Sequence, residues 1–64
     1  MTEDSIRADI EAEKLILIDL EREYNDFASD PKTLEELSIM ILESEKRLSL
    51  YIRQLREIKN PAKN

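Results

Sequence analysis

The sequence predicts an all-α fold: an antiparallel two-helix hairpin, coiled-coil-like, completed by self-association or by a partner chain. Two apolar seams, each repeating about every 3.5 residues, run through most of the chain. The only prolines, Pro31 and Pro61, stand at the middle and near the end and mark off two arms. Sheet and tight-turn chemistry is thin, because the 64 residues include no glycine, no valine and two threonines.

The first arm reads as a helix from about residue 3 to 28, with Thr2 or Asp4 as its cap and Glu3 near the positive end of the dipole. Its seam is Ile6, Ile10, Glu13, Leu17, Leu20, Tyr24 and Phe27, in alternating steps of four and three. Asp30-Pro31 then reads as an N-cap followed by proline at the first helical position, where a missing N–H costs nothing. Proline also drives the residue before it out of helical geometry, which sets a turn at about 29–31. The second helix covers about 31–59; Thr33-Leu34-Glu35-Glu36 has capping-box spacing and offers a start one turn later. Its seam is Leu34, Leu37, Ile41, Ser44, Leu48, Tyr51, Leu55 and Ile58. Asn60-Pro61 stops it and leaves a short tail, 60–64.

Folded back antiparallel, the seams pair Phe27 with Leu34, Tyr24 with Leu37, Leu20 with Ile41 and Leu17 with Ser44. Glu13 then faces Leu48, Ile10 faces Tyr51 and Ile6 faces Leu55, every pair of numbers totalling 61. That places the fold axis between Asp30 and Pro31, where the turn chemistry also puts it. Each arm is roughly 40 Å long. Charge follows the same plan. Residues 1–31 carry ten acids and three bases, and residues 32–64 five acids and seven bases, for a net −5. The hairpin lays Glu3, Asp4, Asp9 and Glu11 beside Arg53, Arg56, Lys59 and Lys63, exposed pairs that favour alignment more than stability.

Two helices cannot cover everything apolar in this chain. Ile16 and Met40 flank the seam on one broad face, Ile18, Leu42 and Ile52 on the other, with Leu15 and Ile39 further round. A helix apolar nearly all round in its middle is a helix surrounded by protein. The partner-binding surface is therefore placed at Leu15, Ile18, Ile39, Leu42 and Ile52. Two polar residues interrupt the seams. Ser44 is small enough for close helix approach or for a bond to its own backbone. Glu13 is read as reaching water or a neighbouring base near the open end, with a register or partner specifier as a further role.

Composition removes most chemistry. Without cysteine there are no disulfides, thiolates or sulfur-ligated metals, and without histidine the commonest base and metal ligand is missing. Five serines have no histidine to activate them, and a di-metal bundle site wants Glu-x-x-His. Asp19, Glu23 and Asp26 read as a solvated helix face. Nucleic acid is an unsuitable partner for a chain of pI about 4.6 whose basic residues are spread. The acidic start lacks the positive charge of a signal peptide, and Leu15-Ile16-Leu17-Ile18 is far short of a membrane span. The expectation is a cytoplasmic, non-enzymatic protein with no catalytic or metal residues, no cofactor and no small-molecule substrate. Its partner is another helical protein or itself, not nucleic acid or membrane.

Asp30-Pro31-Lys32-Thr33-Leu34-Glu35-Glu36-Leu37 followed by a long amphipathic helix resembles the turn and second helix of small helical-hairpin co-chaperones of type III secretion needle subunits. The resemblance covers about half the chain and rests on Asp-Pro plus a heptad. It implies a non-catalytic partner of a larger helical-repeat chaperone, the two holding an aggregation-prone needle subunit. Needle subunits themselves tend to be longer, with a two-proline turn that this chain lacks. Dimeric helical-hairpin RNA modulators of plasmids are similar in architecture, and only their four-helix assembly carries over. Helical-hairpin phosphatases of response regulators place a catalytic aspartate four residues after a serine, where this chain has Ser38 and then Leu42.

Overall fold

The computed structural model describes residues 2–59, and the tail 60–64, with Asn60-Pro61 and Lys63, lies outside them. Two helices, α1 (Glu3–Asp26) and α2 (Pro31–Lys59), pack against each other as an antiparallel hairpin. Local chemistry sets their ends. The Ser5 N–H donates to Thr2 Oγ1 at 3.1 Å, so Thr2 and not Asp4 caps α1, with Glu3 and Asp4 in the first turn complementing the dipole. Asp30 caps α2 through its carboxylate, which accepts from the Thr33 hydroxyl at 2.7 Å and from the Thr33 N–H at 3.5 Å. Pro31 is the first helical residue, and the start suggested at Thr33 lies inside the helix.

The helix α1 is two residues shorter than the pattern's extent of about 3–28. The Phe27 N–H still reaches the Glu23 carbonyl, but the Asp30 N–H turns back to the Phe27 carbonyl at 2.9 Å. The turn therefore occupies 27–30 rather than 29–31, and its centre falls nearer the first arm than Asp30-Pro31. Side-chain pairing moves with it. Ser44, matched to Leu17 by the total of 61, donates its hydroxyl to Glu13, which therefore meets α2 up to one turn closer to the loop than Leu48.

The core is a thin line. Ile6, Ile10, Leu20 and Leu37 are buried, together with Glu13 and Ser44. Leu17, Leu34, Ile41, Leu48, Tyr51 and Leu55 are half-buried, while the remaining seam residues Tyr24, Phe27 and Ile58 are exposed. Those three sit toward the two ends of the hairpin. Among the described residues, the expected ladder of acids on α1 against bases on α2 does not form. Glu3 pairs with Arg7 and Glu11 with Lys14, partners one turn away on the same helix. Among the described residues the ion pair crossing the hairpin is Glu13–Arg47. The molecule measures 49 × 20 × 13 Å, one helix thick, and its radius of gyration of 15.0 Å exceeds the ~11 Å of a compact domain this long.

Candidate functional site

Two features stand out from this frame: a polar layer inside the seam and an apolar band outside it. The polar layer is Glu13 from α1 with Ser44 and Arg47 from α2. The Ser44 hydroxyl donates to Glu13 Oε2 at 2.5 Å, Arg47 Nε donates to Oε1 at 3.0 Å, and Arg47 Nη2 donates to Oε2 at 3.1 Å. Glu13 is only 5% exposed and Ser44 is fully enclosed, whereas the Arg47 side chain keeps about half its surface in water (48%). The guanidinium lies along the seam edge and forks onto both carboxylate oxygens, a geometry that suits arginine. Hydrogen bonds from Arg47 and then Ser44 hold the Glu13 carboxyl below its ordinary pKa, against the opposing effect of burial. Arg47 is correspondingly raised, first by its hydrogen bond to Glu13. Glu13 pairs with a base, as one expectation had it, but it does so inside the seam and not at a solvated open end.

Sequence reasoning placed Glu13 and Ser44 in the seams but missed their meeting and missed Arg47. A signal was available. Each seam has a single polar interruption, and two such residues are cheapest to bury when they satisfy each other.

The apolar band lies at mid-hairpin. Ile18 stands eight residues before Asp26 and Ile39 eight residues after Pro31, so the runs 15–18 and 39–42 lie at one level. Leu17 and Ile41 turn inward and are half-buried. Leu15 (64% exposed), Leu42 (57%), Ile39, Ile18, Met40 and Ile16 all face outward. Ile52, two turns and more beyond Leu42, is exposed as well. An open groove of about 600 Å³ between the helices is lined by Glu21, Tyr24 and Asn25 of α1 and by Ser38, Ile41 and Leu42 of α2. It puts Leu42 on the broad face that Glu21 and Asn25 share, and Ile18 continues that stripe at helical spacing. Leu15 and Ile39 lie further round, toward the outer edges. Six large apolar side chains exposed at one level ring the middle of the hairpin, Ile18 and Leu42 on one broad face, Ile16 and Met40 on the other, and Leu15 and Ile39 at the outer edges.

Among the described residues, no His, Cys, Asp or Glu group could hold a metal ion. No helix there is long and apolar enough to cross a membrane. A one-layer helical hairpin with an uncovered apolar middle is the class these features define. No family model, curated protein or solved structure matches the chain.

Proposed function

We propose that this chain is a non-catalytic interaction module that docks the apolar band of its mid-hairpin on helices of a protein partner. The observation that supports it is the band itself: six outward apolar residues on a molecule 13 Å thick, where a stable domain has at least two layers. The docking surface is Leu15, Ile18, Ile39, Leu42 and Ile52. The resemblance at residues 30–37 adds a role, that of a small cytoplasmic chaperone or adaptor holding an aggregation-prone helical subunit beside a larger partner. A second reading, a homodimeric four-helix-bundle regulator, draws support from the unequal charge of the two helices.

Sedimentation velocity and circular dichroism on the isolated chain test the docking reading. A stable oligomer, or a loose and partly melted monomer, is the expected result, because either means the band needs a cover. A compact monomer with a sharp, concentration-independent melt would show that the band needs none and would overturn the reading.

A further inference from the structure

We infer that the cover is a second copy of this chain, related by a two-fold axis parallel to the helices. Both turns then lie at the same end, and α1 of each copy runs along α2 of the other. The inference rests on the docking reading and goes on to name the occupant and its orientation.

Position along the hairpin is the first argument. The band begins eight residues from the turn, but α2 continues for another seventeen beyond Leu42. Stacking two hairpins with turns at opposite ends and full overlap sets the two bands at different levels. Sliding them into line sacrifices about a third of the overlap. With turns at the same end, band meets band over the full length.

Charge is the second argument. The described α1 carries nine acids and three bases, while α2 carries five acids and six bases. Opposed turns put the acidic helix against its own copy, and aligned turns put it against the more basic helix. On the face holding Leu42, helical spacing and the level set by Glu13 and Ser44 bring Glu3 within about two residues of the level of the other copy's Arg56, and Lys14 within about two of its Glu45. Ile18 comes within about three residues of the level of the other copy's Leu42. The two opposite-charge pairs share one register, and the apolar pair lies one residue from it.

Area is the third. A compact monomer of 7.6 kDa exposes about 4,300 Å², and this chain exposes 4955 Å². One broad face of 49 × 20 Å offers on the order of 900 Å², enough for the ~800 Å² per partner of a standard interface. Two-fold dimers are also the commonest closed assembly. The dimer leaves Ile16 and Met40 on its outer surface.

The chain has no cysteine, so introduced thiols report alone. Lys14→Cys and Glu45→Cys sit close to the midpoints of α1 and α2 on the proposed face. The parent should sediment as a dimer. A mixture of the two variants treated with a short bis-maleimide should give the mixed cross-linked pair as its main product, with little from either variant alone. Leu42→Asp should weaken association at least about tenfold while helicity within each arm survives. Each variant cross-linking mainly to itself would show opposed turns and overturn the orientation. A dimer without cross-links, disrupted by Met40→Asp and not by Leu42→Asp, would move the interface to the other face. A partly melted monomer would overturn the second copy and leave docking on a different protein standing. A compact monomer would remove both.

Discussion

Replacing Glu13 by alanine removes the acceptor on which three donors converge, and the structure indicates how much that costs. Arg47 is half exposed, so its guanidinium returns to water and its loss is strongly discounted by solvent. Ser44 has no such recourse. Its hydroxyl is enclosed at 0% exposure, and an unpaired buried hydroxyl costs about 1–3 kcal/mol. The vacated space beside Ile10 and Leu17 adds a cavity contribution of about 1 kcal/mol. Glu13→Ala should therefore destabilise the hairpin by about 3 kcal/mol, a large share of the ~3–9 kcal/mol expected for a chain this long. Glu13→Leu with Ser44→Ala removes the orphan and refills the seam with apolar atoms, so it should lie within about 1 kcal/mol of the parent or above it. Urea unfolding followed by helical circular dichroism measures both. If Glu13→Ala is neutral, or the double variant is as damaged as the single one, the polar layer is not what ties the helices together at that level.

Two further outcomes follow from named side chains. The Glu13 carboxyl has a folded pKa below its ordinary 4.5, so its contribution is complete above that value and is lost as pH falls through the folded one. Asp30 is held low in the same sense by hydrogen bonds from Thr33 and adds to the acid limb. Glu13→Gln should show a shallower loss of urea midpoint than the parent below about pH 4.5, and equal slopes would count against the Arg47 and Ser44 bonds. Gln54 Oε1 is buried without a partner among the described residues, so Gln54→Met should raise stability by about 1 kcal/mol; a loss of that size would mean the amide has a partner.

The hairpin was legible because independent signals coincided on it. Asp30-Pro31 marks a helix start by capping and ring geometry alone, and the two seams reverse direction there whatever the side chains do later. The buried residues Ile6, Ile10, Leu20 and Leu37 all belong to those seams. What the pattern left open was fine register. Heptad spacing constrains two antiparallel helices only to within about one turn, because a side chain at one level packs between two on the facing helix. The end of α1 at Asp26, set by the Asp30 N–H turning to the Phe27 carbonyl, resolves it. Exposed charges were the least legible part. Glu3 finds Arg7 and Glu11 finds Lys14 on their own helix, since a neighbour one turn away is always in reach and a partner on the facing helix depends on register.

A polar layer in so small a core looks wasteful until it is set beside the band. At mid-hairpin α1 offers Leu15, Ile16, Leu17 and Ile18 in succession, and α2 offers Ile39, Met40, Ile41 and Leu42. An apolar run of four consecutive residues presents a hydrophobic surface in almost every direction, so burial alone distinguishes poorly between one rotation of the helix and the next. Glu13 and Ser44 do distinguish them. Turning α1 by one residue takes the carboxylate about 100° away from Arg47 and strands Ser44 in the seam. Leu17 and Ile41 are thereby held inward, and Ile18 and Leu42 are presented outward on one face. The layer costs hydrophobic burial and fixes which apolar residues the hairpin keeps and which it turns outward, so the face proposed for docking is defined by a hydrogen-bonded carboxylate one turn away from it.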